Sequence, residues 1–502
     1  MPHSNSKYWD FCAPIAGLLL TLSFAPFDYS GLALLALAFL FAAWLNISAK
    51  RAALRGYLFG LGAFGSGVSW VYISMHDFGG AGVFSSGLLT ALFAAFWALF
   101  PALAGYLSVK MQGVGRIVLV PIIWILVEYF RGYWLLNGFP WLQIAYSQME
   151  TPLAGYIPVV GVYGTGFIVA FTASVIVEIA HCRGEFIRPG LLKSPLQLIT
   201  MLILLWGAGG LLRNQTWTHE IRSPIRVSMI QGNIGQDQKW RPENKINTLL
   251  KYKRMTEEHW DSQVIIWPET AIPAYLDQVE QNFLAPLAND AKLHNTDLII
   301  SVPVQEQSPI KNFNAVITLG KEQGMYRKTH LLPFGEYLPL QPLSGFVLDL
   351  IHTRLGNFTP GAIDQPLLKA GGYPFITLIC YEDAFGDLSI KGLPDAAFLV
   401  NVTNDGWFGD SIEPHQHMQM ARMRAMETGR FLLRSTNTGI TAIVSPTGAI
   451  IDQAPLFQET VLTGMITPMG GMTPYARVGD KPIIAVMVIL LLGYGRFFKF
   501  RG

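Results

Sequence analysis

Cysteine is scarce in this chain. Three residues in 502, Cys12, Cys182 and Cys380, lie far apart in different surroundings, which excludes a disulfide framework and any zinc site built on cysteine pairs. Charge is scarce as well. Only 14% of residues are charged, and 36 Lys and Arg nearly balance 34 Asp and Glu for a net charge of +2, so no basic excess points to nucleic acid as a partner. His415 and His417 stand two apart, so on a helix they would face different directions and make a poor metal pair. No metal and no cofactor are expected. What abounds is apolar: 51% of residues are hydrophobic and mean hydropathy is positive, which is ordinary for a chain partly in lipid.

From Tyr8 to Leu212 the sequence is a succession of long apolar stretches, roughly Tyr8–Phe27, Gly31–Ile47, Gly56–Met75, Gly82–Val109, Ile117–Trp134, Gly161–Ala180 and Pro195–Leu212, with another at Pro482–Phe497. Each approaches the ~20 residues that a helix needs to cross a bilayer, so about eight transmembrane helices are expected. The first, flanked by Lys7, is followed directly by others and shows no small-residue cleavage site, and it reads as a retained span. Lys50, Arg51 and Arg55, then Lys110 and Arg116, then Arg183, Arg188 and Lys193 mark alternate connections as cytoplasmic. The other connections are poor in Lys and Arg, the segment after the fifth span holding Arg131 alone. The tail with Arg496, Lys499 and Arg501 falls back inside, so both termini are expected in the cytoplasm. This frame predicts a membrane domain over 1–212, an external domain over 213–480 and a C-terminal span with its tail over 481–502. Glu128 and Glu178 fall near predicted span ends, where solvated interface positions are expected for them.

Charge and turn residues return in the external stretch, where short apolar runs such as Val264–Trp267, Leu298–Val302 and Ala397–Val402 alternate with polar segments, the pattern of an α/β domain. One run, Phe375-Ile376-Thr377-Leu378-Ile379, ends in Cys380 and continues Tyr381-Glu382-Asp383. A free cysteine taken alone is more often buried structure than nucleophile. Two neighbouring patterns argue for the nucleophile. Val264-Ile265-Ile266-Trp267-Pro268-Glu269 puts a carboxylate just past a strand, and Tyr326-Arg327-Lys328-Thr329-His330-Leu331-Leu332-Pro333-Phe334-Gly335-Glu336 carries a lysine and a second carboxylate. Glu269, Lys328 and Cys380 are far enough apart for strand, crossover and strand between each, so three strand ends can converge at one sheet edge.

At these residues the external domain resembles the nitrilase, or carbon–nitrogen hydrolase, superfamily with its Glu-Lys-Cys triad. With Trp267-Pro268-Glu269-Thr270, Cys380-Tyr381-Glu382-Asp383 and Asn401-Val402-Thr403-Asn404-Asp405-Gly406-Trp407 in order behind a multi-span frame, the chain resembles its membrane-fused branch, which N-acylates lipoproteins. Ser69-Trp70-Val71-Tyr72 and Gly138-Phe139-Pro140-Trp141 agree with this in the membrane part. The resemblance implies an external α-β-β-α sandwich at the bacterial inner membrane with its catalytic domain in the periplasm. It also implies a ping-pong acyl transfer from a phospholipid, through a Cys380 thioester, to the α-amino group of a diacylglyceryl-modified N-terminal cysteine of a lipoprotein. A membrane-anchored amidase with water as acceptor is the alternative enzyme, and a transporter with an external binding domain the alternative class.

In chemical terms, Glu269 is expected to carry the proton, Lys328 to favour the Cys380 thiolate, and Lys328 with the Tyr381 backbone N–H to stabilise the oxyanion. Glu336 supports the site by positioning Lys328 or substrate, and Glu382 belongs to the supporting set. Trp240 matches a position of the family near the lipid pocket. The apolar, proline-rich stretch 338–351 reads as a lid dipping into the interface, with Phe346, Val347 and Leu350 against acyl chains, or equally as packing on the domain core. The partners expected are the phospholipid donor, the diacylglyceryl lipoprotein acceptor and membrane lipids, with no nucleic acid, and the protein is expected to be a monomer.

Overall fold

The computed structural model describes residues 7–111, 115–182, 194–340 and 357–499. The chain divides into two compact units. One comprises Met1–Tyr72, Val83–Gln215 and Val478–Gly502, the other Ile73–Gly82 and Thr216–Arg477.

The first unit is helical: α1 (Lys7–Thr21), α2 (Gly31–Ala43), α3 (Ala49–Gly67), α4 (Val83–Trp97), α5 (Leu99–Lys110), α6 (Arg116–Tyr133), α7 (Ile157–Cys182), α8 (Pro195–Arg213) and a C-terminal helix, Lys481–Lys499. Among the described residues, three helical stretches are long and apolar enough to cross a bilayer, Val83–Lys110, Pro152–His181 and Pro195–Arg213. A fourth counts if Ala49–Gly67 and Val71–Phe78, bent by 58° at their break, form one broken span. Helix α1 has 15 residues, about 22 Å at ~1.5 Å per residue against a core of ~30 Å. Helix α6 is long enough but carries Arg116, Glu128 and Arg131.

Small residues let these helices touch. A Cβ on Gly17 would lie 2.0 Å from the Phe59 carbonyl oxygen, and one on Gly62 would lie 2.0 Å from that of Pro14, so α1 and α3 meet backbone to backbone. Inside α7, Gly161 takes φ 65°, which a side chain would resist.

Three charged residues sit differently from expectation. Glu128 is buried rather than solvated, and its carboxylate accepts the Ile144 N–H at 3.1 Å, so the segment after α6 supplies the donor that water would have supplied. Arg131 belongs to the last turn of α6, buried, donating to the Phe139 and Trp141 carbonyls at 2.7 and 2.6 Å. Arg55 lies within α3, fully buried, its Nε 2.9 Å from Asp10. Glu178 is ion-paired to Arg116 at 2.6 Å and partly exposed.

The second unit is built on β1 (Thr218–Glu220), β2 (Ile225–Gln231), β3 (Val264–Ile266), β4 (Asp297–Gln307), β5 (Ile310–Leu319), β6 (Gly324–Arg327), β7 (Leu368–Ala370), β8 (Tyr373–Ile379), β9 (Phe398–Thr403), β10 (Leu432–Thr436), β11 (Ala442–Val444), β12 (Ile450–Gln453), β13 (Thr460–Ile466) and β14 (Met469–Gly471). Two six-stranded sheets run β13-β2-β3-β4-β5-β6 and β12-β11-β10-β9-β8-β7, and β1 pairs with β14. Each large sheet is parallel at its centre, β2-β3-β4 and β8-β9-β10, and antiparallel at its margins.

Strand periodicity decides the layers. Val264 and Ile266 of β3 join Phe398 and Val400 of β9 in the core between the sheets. Ile265, from the opposite face of β3, packs with Leu249 and Tyr252 of α9 (Lys245–Glu257) and Leu287 of α10 (Ala285–Leu293). Leu399, from the opposite face of β9, packs with Met418 and Ala421 of α11 (Glu413–Thr428). Fully buried strands with apolar residues on both faces need a layer on each side, and the result is α-β-β-α.

Candidate active site

The carboxyl ends of two parallel strands and of one antiparallel edge strand carry the chemistry. Glu269 stands three residues past β3, Lys328 directly follows β6, and Cys380 directly follows β8. The first two leave one sheet and the third leaves the other, so the three ends meet across the sandwich rather than along one sheet edge. Cys380 opens a tight turn, Cys380–Ala384, and adopts φ 51°, a left-handed conformation that costs a non-glycine residue on the order of 1 kcal/mol. A nucleophile elbow has this form, a strained residue at a strand-to-helix turn.

Around it the acids and the lysine are nearly sealed from water. Lys328 is 1% exposed, Glu269 8% and Glu336 9%. The Lys328 ammonium sits 2.8 Å from Glu336 Oε2 and 3.9 Å from Glu269 Oε1, so its direct partner is Glu336. Glu336 Oε2 also accepts the Leu332 N–H at 2.8 Å. One residue that the sequence did not single out joins the two acids: Asn314 of β5 donates Nδ2 to Glu269 Oε1 at 2.7 Å and to Glu336 Oε1 at 3.1 Å. Another is Lys239, 2% exposed, whose ammonium donates to the Glu269 carbonyl at 3.0 Å and to Thr270 Oγ1 at 2.7 Å.

Burial pushes Glu269 above the usual carboxylate range, opposed by Lys328 and helped by Glu336. Burial would lower the Lys328 ammonium, but Glu336, the Cys380 sulfur and Glu269 together hold it above its ordinary value. Burial brings Lys239 down to about 8 against the pull of Glu269. The thiol departs from the sequence-based expectation. Burial and Glu269 push Cys380 well above its ordinary value, and Lys328 opposes them without prevailing. The surroundings thus disfavour the thiolate of Cys380 and favour proton uptake by Glu269.

Glu382 plays a different part from its neighbours. Fully buried, it accepts Tyr326 Oη at 2.9 Å, Thr329 N–H at 2.7 Å, Thr329 Oγ1 at 2.9 Å and His330 N–H at 3.1 Å, while its other oxygen takes the Ile379 N–H at 2.9 Å. It fastens the strand that delivers Lys328 to the turn that delivers Cys380. Tyr381, next to the thiol, is buried with its ring edge-on to Phe385 at 5.3 Å. Trp240 is half exposed and so is not core. Phe334 and Trp407 are exposed to a similar degree, and Trp407 meets Phe78 edge-on at 6.2 Å. Phe346 and Val347 lie outside the described residues, as does most of the proposed lid.

Such a constellation can take a proton from a thiol, stabilise an oxyanion with a buried cation, and pass the proton on. Comparison with known proteins agrees at both ends of the chain. Residues 16–175 match the model of the apolipoprotein N-acyltransferase N-terminal domain, and residues 226–473 match that of the carbon-nitrogen hydrolases. The apolipoprotein N-acyltransferase of Methylococcus capsulatus is 51% identical over 476 residues, 94% of this chain and 92% of that one. Those of Pseudomonas aeruginosa and Coxiella burnetii are each 39% identical, covering 95% and 96% of this chain and 93% and 98% of theirs.

Proposed function

The chain belongs to the apolipoprotein N-acyltransferase family, and from that premise we propose that Cys380 carries the acyl group as a thioester while Glu269 moves the proton and Lys328 holds the oxyanion. The reaction is N-acylation of lipoproteins. In the first half, Cys380 Sγ attacks the ester carbonyl of a phospholipid as its proton passes to Glu269. The tetrahedral oxyanion forms against Lys328 and the Tyr381 N–H, and its collapse breaks the ester C–O bond, the leaving lysophospholipid oxygen taking the proton from Glu269. In the second half, the amine of the diacylglyceryl cysteine attacks the thioester and Glu269 accepts the amine's proton. The C–S bond breaks, and the sulfur recovers that proton. Atoms balance, and one carboxylate serves both halves, as a ping-pong sequence at one thiol requires.

The observation that carries this reading is the arrangement of Glu269, Lys328 and Glu336, bridged by Asn314, at the strand end facing a left-handed Cys380. Glu336 orients Lys328. Trp240 (beside Lys239), Phe334 (two residues before Glu336) and Trp407 are all well exposed and offer amphipathic surface to the acyl chains and head groups of two lipid-anchored substrates. Phe346 and Val347 are proposed as acyl-chain contacts from the sequence alone.

The frame of eight spans, with both termini in the cytoplasm and the catalytic unit on the outer face of the inner membrane, rests on the alternation of Lys and Arg among the connections. We take the protein to act as a monomer.

Purified protein given phospholipid and a diacylated lipopeptide should yield triacylated peptide. Cys380→Ala and Glu269→Gln should each lose turnover by at least about 1,000-fold. Release of free fatty acid at the same rate without peptide would favour water as the acceptor and overturn the transferase assignment.

A further inference from the structure

At the turn that carries the nucleophile, four charged side chains form a closed ring. Asp383, three residues after Cys380 in the same turn, takes His417 Nε2 on Oδ1 at 2.8 Å and Arg434 on Oδ2 at 2.9 Å. Asp405, in the turn after β9, takes His417 Nδ1 on Oδ1 at 3.0 Å and Arg434 on Oδ2 at 3.0 Å. Each of the four is at most 2% exposed. They come from four elements: the turn after β8, the turn after β9, helix α11 and strand β10.

Because both imidazole nitrogens face carboxylates, His417 is an imidazolium, raised to about 10 by Asp383 and Asp405 against burial and Arg434. The ring therefore holds two positive and two negative charges. Glu413, 3.6 Å from His417, is pushed well above the usual carboxylate range by burial and by Asp405. Asp405, Glu413 and His417 also bring ligand atoms within 4.8 Å of one another. They make a poor metal centre all the same, since neither ring nitrogen has a lone pair to offer while both donate to carboxylates and Arg434 already neutralises Asp405.

The ring reaches the nucleophile's own backbone. Arg434 donates to Asn401 Oδ1 at 2.6 Å, and Asn401 Nδ2 lies 3.3 and 3.4 Å from the carbonyls of Leu378 and Cys380. Thr403 Oγ1 donates to Asp405 at 3.1 Å. A left-handed non-glycine residue persists only where its surroundings over-determine it. Here the carbonyl of Cys380 is held on one side and the turn that follows it, through Asp383, on the other.

We propose that Asp383, Asp405, His417 and Arg434 are positioning residues for the nucleophile: they hold the turn that carries Cys380 in the strained conformation from which its thiol meets Glu269. The proposal rests on the reading of Cys380 as the acyl carrier. Ion pairs buried this deeply add little net stability over apolar residues of the same volume, whereas they fix geometry where a single arrangement satisfies every donor. Nothing in the sequence connects these residues, because each stands in a separate segment and only the fold closes the ring.

The test is single-turnover acylation of the purified full chain by phospholipid, followed by intact mass, for the wild type, His417→Gln and Asp383→Asn. The expected result is an acylation rate at saturating phospholipid lower by about 10- to 100-fold, the scale of a small misplacement of reacting groups. The half-saturating phospholipid concentration should stay within about two-fold of the wild type, and the variant should elute and unfold as a folded protein. If His417→Gln does not fold, Asp383→Asn carries the same expectation, since it keeps an acceptor for His417 while removing the carboxylate charge that His417 and Arg434 both face. Folded variants that acylate at the wild-type rate, or that lose rate only through weaker phospholipid binding, would overturn the proposal. So would failure of both to fold, which would make the ring a folding element. A wild type that forms no thioester would instead count against the function proposed for Cys380.

Discussion

Asn314 holds two carboxylates with one amide nitrogen, and that single contact sets the distance between the proton carrier and the lysine's partner. Its removal leaves two buried acceptors each short of a donor, at a cost of about 1–3 kcal/mol. Asn314→Ala should therefore lower kcat by roughly 10- to 100-fold with KM for phospholipid little changed, as steady-state kinetics would show. Glu336 raises Glu269, and Glu269 must be ionised to accept the thiol's proton, so the acid limb of the pH–rate profile should lie above the ordinary carboxylate range. Glu336→Gln removes that push and should move the limb to lower pH, whatever it does to the maximum rate; an unmoved limb would assign it to another group. His417 is raised in the folded state, so the stability it contributes is complete below its unfolded value near 6.5 and is lost as pH rises through about 10. Thermal unfolding midpoints of the wild type should fall more between pH 7 and 10 than those of His417→Gln. Glu269 and Cys380 stood out as candidates because each closes an apolar run, and Lys328 because the stretch that carries it resembles the motif of the superfamily. Asn314 did not, because it sits in the middle of an ordinary strand, and Lys239 did not, because a polar stretch, Gln236-Asp237-Gln238-Lys239, gives no sign that one of its residues is buried against Glu269.

At the scale of elements, backbone contact decides the helical unit. The pair Gly17 and Gly62 leaves no room for a side chain between α1 and α3. Gly62→Leu must push the two helices apart or unwind one, and should lower the thermal midpoint in detergent by several degrees; an unchanged midpoint would mean that the contact is not part of the stable unit. Apolar runs located most of the helices to within a few residues, since length and hydropathy are properties of a single segment, but the run Gly56–Met75 missed the first two turns of Ala49–Gly67, where Lys50, Arg51 and Arg55 stand. The breaks in the helices were not legible. The 58° bend between Gly67 and Val71 and the interruption at Ala98 fall inside runs of uniform composition. Burial of Glu128 and Arg131 was missed for a related reason: their partners are main-chain groups of the segment after α6, and main-chain groups carry no sequence signature. In the sandwich, alternation along β3 and β9 is hidden because both faces are buried, so the runs announce strands without saying which side chain enters which core.

For the whole molecule, the change from an apolar, charge-poor sequence to one with ordinary charge marks where the second unit begins, although Ile73–Gly82 belongs to that unit and precedes the boundary by far. A composition reading cannot see such an excursion. The eight-span frame predicts that a green fluorescent protein fused to the C-terminus fluoresces and that an alkaline phosphatase fused there is inactive; the reverse pattern would demand an odd number of spans. The central claim is that one thiol carries the acyl group between two lipid-anchored substrates. Intact mass of the purified protein after incubation with phospholipid, beside Cys380→Ser, tests it most directly. The account predicts a gain of one acyl chain on the wild type, discharged by a diacylated lipopeptide and absent from the variant under conditions that preserve thioesters. An active wild type that never gains that mass would contradict it.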